Sequence, residues 1–383
     1  MMSETTFTLL DELKQSDGAV ATIDRLIETL RAQKDFHKLF DALLLKKKFE
    51  MGLPLVSPSA FDDVPQDQQA EFEERYIEAA RTVGESFLAE NNIPQAWVYL
   101  RTIREPEKVA KALDELDPHQ EANEETEELI NVALHEGANP LKGLELMLRT
   151  HGTCSTITAL DQQIHQMSPD VRKKAASLLI DELYDDLGHT LRREVEQKLA
   201  LAPASESLRE LITGRDWLFE EGNYHIDVSH LNSVVRFARF LDFSDSALQK
   251  ATELAEYGSK LADQFQYPGD PPFDDFYPAH LQYFNALADN NRDEALAYFR
   301  ERLDTLPEEE DKRLIAYVLV DLLVRVDRLD EALEVAQEHL KDIDESIGFS
   351  FAELCQQAGR MDTLREVARE KGDLVRYTAA LLG

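Results

Sequence analysis

Residues 84–100 read GESFLAENNIPQAWVYL. They hold the end of one amphipathic helix, a polar turn and the start of a second helix. Asn91-Asn92 interrupts the first apolar run, and Pro94 suits the first turn of the next helix, where its missing N–H costs nothing. Gly84 and Phe87 on the first helix are placed to meet Ala96 and Leu100 on the second. Two helices approach closely only where small residues leave room and larger neighbours fill the gaps on either side. The stretch predicts a tight helix pair, its first member running from Asp67 to about Glu90.

Toward the N-terminus the same logic yields another pair across residues 17–52. Val20, Ile23, Leu26, Ile27 and Leu30 form one apolar stripe. Phe36, Leu39, Phe40, Leu43 and Leu44 form the next after a break near Lys34-Asp35. Lys46-Lys47-Lys48 reads as the polar side of that helix. Residues 52–66, GLPLVSPSAFDDVPQ, have no period and read as a connection. Toward the C-terminus, 106–222 is helical but irregular, with stripes at 125–135, 140–150 and 169–186, and an acidic link, EANEETEE (121–128). A proline-rich connection, YPGDPPFDDFYP (267–278), precedes the last section.

That last section repeats the second-helix half of the opening pattern. NRDEALAYF (291–299) places Ala295 and Phe299, with Pro307 beyond; RLDEALEVA (328–336) places Ala332 and Ala336; RMDTLREVA (360–368) places Leu364 and Ala368. The intervals Ala295–Ala332 and Ala332–Leu364 are 37 and 32 residues. With Gly84, Phe87, Ala96 and Leu100, this resembles the tetratricopeptide repeat, whose period is about 34 residues. The resemblance covers about 77–110 and 276–383. In the later units Tyr283, Val320 and Ala352 stand where the glycine would be. The resemblance implies an all-α, right-handed α-solenoid of antiparallel helix pairs, here with an irregular helical central section. The expected divisions are 1–66, an N-terminal hairpin and linker; 67–266; and 267–383, the C-terminal repeats.

Composition narrows the function. The 383 residues exceed what one compact core accommodates. The scarcity of Pro (14) and Gly (15) disfavours the many turns of an all-β protein. A net charge of -34 repels phosphate backbones and anionic lipid surfaces, so neither nucleic acid nor membrane is expected as a partner. Two distant cysteines, Cys154 and Cys355, define no disulfide framework, and the N-terminus shows no leader-like pattern. The expectation is a soluble, cytoplasmic chain.

Candidate sites centre on residues 223–241, NYHIDVSHLNSVVRFARFL. His225 precedes a predicted helix, Asp227 sits at its N-cap and His230 lies in its first turn. Two histidines and a carboxylate are a familiar ligand set for a divalent metal. The competing reading is that Asp227 caps the helix and the histidines hydrogen-bond to backbone. Arg236 and Arg239 suggest an anion-binding surface, against plain ion pairing with abundant acids. Leu231, Val234, Val235, Ala238 and Leu241 form the buried stripe, and Asn232 is expected on another face. His151 and Cys154 flank Gly152, a predicted helix stop, and would make a nucleophile pair only if they met. His280 opens a further helix. Trp97 and Trp217 read as packing residues. No cofactor-binding motif occurs in the sequence.

The leading expectation is a non-enzymatic protein-interaction module or scaffold. It would use the concave face of an acidic repeat array to hold a protein or peptide, with basic or polar segments preferred. The alternative is a metal-binding protein or metal-dependent enzyme using His225, Asp227 and His230, with Arg236 anchoring an anion.

Overall fold

Apolar stripes at helical spacing become helices throughout. In a computed structural model, which describes residues 4–199, 207–306, 309–342 and 349–383, every regular element among the described residues is a helix, apart from an isolated bridge between Pro268 and Asp275. Pro307 lies outside the described residues. The chain forms two compact units, Met1–Gly152 and Thr153–Gly383.

Unit 1 contains α1 (Glu4–Ser16), α2 (Gly18–Ala32), α3 (Phe36–Glu50), α4 (Gln69–Ala89), α5 (Ile93–Thr102), α6 (Glu107–Asp114), α7 (Glu124–Ile130) and the first half of α8 (Pro140–Gln163). Successive helices pack on one another from α1 through α6. The expected break at Lys34-Asp35 is present, with Asp35 capping α3. The Gly84–Leu100 pairing is as close as the sequence suggests: a Cβ at Gly84 would lie 2.6 Å from Leu100 Cγ. Asn92 caps α5 by accepting from the Gln95 amide at 3.2 Å. At Gly152 the backbone takes φ 80°, a value disfavoured for residues with a Cβ, so the helix direction breaks there.

Lys48 is not on a polar face. It is fully buried, with its ammonium on Asp63 at 2.5 Å and on the Ser57 carbonyl at 2.7 Å, so the connection that follows α3 is held down by a buried ion pair. The N-terminal helix α1 was not foreseen, because its apolar residues make only a short, weak stripe.

Unit 2 continues with α9 (Pro169–Leu199), α10 (Leu208–Ile212), α11 (Val228–Phe237), α12 (Ala247–Ser259), α13 (Phe276–Leu287), α14 (Arg292–Thr305), α15 (Glu309–Arg325), α16 (Leu329–His339), α17 (Phe351–Gln357), α18 (Met361–Lys371) and α19 (Leu374–Leu382). The long α9 extends well past the expected end near Asp186 and supports α10, α11 and α12. From α12 to α19 each helix packs on the next. The repeat positions Ala295, Phe299, Ala332, Ala336, Leu364 and Ala368 are all buried, as are Tyr283 and Val320. A close approach that the sequence did not announce joins α12 to α13, where a Cβ at Gly258 would fall 2.3 Å from the Tyr277 ring.

Candidate functional site

Asp227 performs the expected capping. Its carboxylate accepts from the amides of Ser229 at 2.8 Å and His230 at 3.3 Å, and from the Ser229 hydroxyl at 2.6 Å. These bonds, the hydroxyl's first, hold its pKa below the usual carboxylate value. His225 turns away into the protein. Its Nδ1 meets the Tyr257 hydroxyl at 3.0 Å, that hydroxyl also accepts from the His225 amide at 2.9 Å, and Nε2 meets Glu194 at 2.9 Å. Burial lowers the pKa of this imidazole while the Glu194 carboxylate opposes the shift. His225, Asp227 and His230 thus do not assemble as a ligand set: one is buried on α9 and α12 partners, and the carboxylate is spent on the cap. No group of three or more His, Cys, Asp or Glu side chains among the described residues could hold a metal ion. The residues therefore do not fit the metal centre that their sequence spacing suggested.

The two arginines of the same stretch part company. Arg236 pairs with Asp161 at 2.7 Å, the ordinary fate of a cation in an acidic chain. Arg239 has no carboxylate within ion-pairing distance among the described residues. Its guanidinium lies over the Phe273 ring, 4.8 Å from the centroid, and its Nε donates to the Arg236 carbonyl at 3.3 Å. Burial pushes its pKa below the usual arginine value, with Arg236 adding to the shift.

Arg239 stands between two concavities of unit 2. One, of about 650 Å³, is walled by α11, residues 267–273, α13 and α15, and includes Arg236, Phe273, His280, Leu314 and Tyr317. The other, of about 450 Å³, lies toward the start of α9 and includes Arg172, Phe240, Asp321 and Arg325. Arg239, Phe273, Tyr317 and Val318 border both. Of the other cations nearby, Lys173 pairs with Asp242 at 3.1 Å and Arg325 with Asp242 at 3.2 Å and Asp321 at 3.6 Å, while Arg172 donates to the Met167 and His165 carbonyls at 2.8 and 2.9 Å. His280, on α13, is buried; its Nδ1 is 2.7 Å from the Phe276 carbonyl and Phe273 stacks on its ring at 4.2 Å. Burial first, then Arg239, drives its pKa down to about 3. Asn232, expected on a face other than the apolar stripe, is likewise buried, because α11 is covered on that side as well.

In unit 1, a groove of about 400 Å³ runs between α5 and α7. Trp97 and Val98 form its apolar floor, and Glu124, Glu127, Glu128 and Glu136 surround it. Trp97 donates to Glu136 at 2.7 Å, and Arg101 pairs with the same carboxylate. Glu127 meets His151 Nε2 at 2.8 Å, and the Thr150 hydroxyl takes His151 Nδ1 at 2.8 Å. Glu124 and Glu128 have no cationic partner among the described residues. Cys154 is exposed in unit 2, at the start of the helical segment that follows Gly152. Trp217 packs under the Lys198 ammonium, 3.9 Å from its ring centroid.

No family model matches this chain, and no curated protein or solved structure does. No helix among the described residues is long and apolar enough to cross a membrane.

Proposed function

We propose that the chain is a cytoplasmic protein-interaction module of tetratricopeptide-like type, built from antiparallel helix pairs in right-handed succession, that holds a basic segment of a partner protein against unit 1. The close pairing at Gly84 and Leu100 and the burial of Ala295, Phe299, Ala332 and Leu364 support the repeat reading. One observation carries the function: the α5–α7 groove combines an apolar floor with two carboxylates, Glu124 and Glu128, that no cation among the described residues neutralises. Val98, 47% exposed, offers apolar surface to a visiting side chain. Glu124 and Glu128 offer charge, and α7 presents Glu124 in its first turn, a position the helix dipole favours for acids. A lysine or arginine side chain matches both, its stem on Trp97 and Val98 and its head among the glutamates. The surrounding charge of -34 steers such a segment inward.

The test is capture of partners from native lysate by the full chain, compared with the double variant Glu124→Lys, Glu128→Lys. The wild type should retain a discrete set of proteins, released by raised salt, and the variant should lose it. Identical recovery by both chains would remove the groove from the reading.

A further inference from the structure

The unit 2 cavity of about 650 Å³ leaves three polar demands unmet, and they are of different kinds. Arg239 is a partly buried cation with no carboxylate partner among the described residues, in a chain with 75 acidic side chains to choose from. Among the described residues Asn232 Nδ2, a donor, is buried without an acceptor. His280 Nε2 is likewise buried without a partner among them. Its character follows from the other ring nitrogen. A carbonyl oxygen only accepts, so Nδ1 carries the proton donated to Phe276, and Nε2 of the neutral ring is a bare acceptor. Buried polar groups are normally satisfied, and the three residues that carry these demands all line one cavity.

The occupant's chemistry can be read from these demands. A planar carboxylate fits the guanidinium fork and supplies the acceptor that Asn232 lacks. A hydroxyl or amide N–H close to that carboxylate supplies the donor that His280 lacks. Charge distinguishes a carboxylate from a phosphate: Arg236 is already neutralised by Asp161, and exposed Asp270 lines the same cavity, so no second positive charge is left beside Arg239 and the site matches at most a monoanion, not a dianion. Leu314 and Tyr317 are 49% and 40% exposed at the cavity wall and provide apolar surface for the ligand's body. The volume lies within the range of small-molecule sites. We propose that this cavity binds a small organic monocarboxylate that bears a hydrogen-bond donor beside its carboxylate and an apolar or aromatic body. The proposal is independent of the partner groove in unit 1.

Mandelate, with a carboxylate, an adjacent hydroxyl and a phenyl ring, is a suitable probe. Calorimetric titration of the full chain should show one saturable site. Phenylacetate, which lacks the hydroxyl, should bind about tenfold more weakly, and mandelamide, which lacks the charge, should not bind. Arg239→Met should abolish mandelate binding. Asn232→Asp, which keeps the side chain's shape and sets a carboxylate against the ligand, should do the same if the first variant fails to fold. Absence of saturable binding to the wild type overturns the proposal, as does undiminished binding by the folded variants. Displacement of mandelate by inorganic phosphate at equal concentration overturns the monocarboxylate assignment.

Discussion

Two helix pairs, α4–α5 in unit 1 and α12–α13 in unit 2, use one packing device with opposite tolerance. Each closes over a helical glycine. Above Gly84 sits Leu100, a branched aliphatic side chain that can change rotamer. Above Gly258 sits the ring of Tyr277, fully buried, whose hydroxyl has no partner among the described residues. Both side chains are fully buried, but a leucine can turn about its side-chain bonds to move its branch aside, whereas a ring must move as one rigid plate. The pairs also differ in what they carry. The α4–α5 pair leads to a groove lined by exposed carboxylates, whereas α13 brings buried His280 and Tyr283 to the cavities of unit 2. The same approach is adjustable where it only builds the fold and rigid where it also positions buried polar groups.

The largest expected effect follows from that rigidity. Gly258→Ala should destabilise unit 2 by roughly 3 kcal/mol, since the overpacking cost exceeds the gain of about 1 kcal/mol in helix propensity. Urea unfolding followed at Trp217, in a Trp97→Phe background, would measure it. Adding Tyr277→Leu should recover part of the loss, because the two sites couple through direct contact. An unchanged midpoint for Gly258→Ala would erase the distinction between the pairs.

Acid should separate them next. The α4–α5 pair contains no histidine, whereas His280 is held neutral by burial, Arg239 and Arg236. Its folded pKa of about 3 lies below the unfolded value near 6.5, so the unfolded chain binds the proton first. The stability contribution is therefore complete above about pH 6.5 and declines as pH falls toward 3, reaching a loss of about 2 kcal/mol by pH 5. Buried His225 has the same sign of shift and adds to it. In His280→Leu the dependence of unit 2 stability on pH between 6.5 and 5 should flatten. A dependence as steep as that of the wild type would place the acid sensitivity elsewhere.

Gly84→Ala should cost only about 1 kcal/mol, because Leu100 can move and the gain in helix propensity offsets part of the strain. Unfolding of unit 1, followed at Trp97 in a Trp217→Phe background, checks this. A loss as large as that at Gly258 would show that the side chain above the glycine does not decide the tolerance.

The first pair was legible in the sequence and the second was not. Gly84, Phe87, Ala96 and Leu100 lie on helices joined by a short polar turn, so their spacing reports their contact. Gly258 and Tyr277 are joined through residues 260–275, an irregular proline-rich connection whose path no periodicity encodes. That connection read as a separator, yet Phe273 within it lies beneath Arg239 and against His280. The cap at Asp227 was legible because capping is local. The partners of His225 were not, since Glu194 and Tyr257 arrive from other helices. Ion pairing correctly described Arg236 but not Arg239, and only the fold shows which arginine reaches an acid.

The smallest expected difference concerns the caps near the two pairs, Asn92 on α5 and Asp227 on α11. Both accept from amides of the first turn, so Asn92→Ala and Asp227→Ala should each cost about 1 kcal/mol. Only Asp227 is charged, and its depressed pKa means that the carboxylate stabilises the fold above its unfolded pKa and loses that contribution as pH falls through the folded value. The residue is exposed, so solvent screening reduces the extra contribution to a few tenths of a kcal/mol. Asp227→Asn should therefore cost that amount at neutral pH and lose its effect in acid, where both side chains are uncharged. Asn92→Asp should show the converse, a small gain at neutral pH. Equal behaviour of the two exchanges across pH would mean that geometry alone, and not charge at the helix N-terminus, sets the value of these caps.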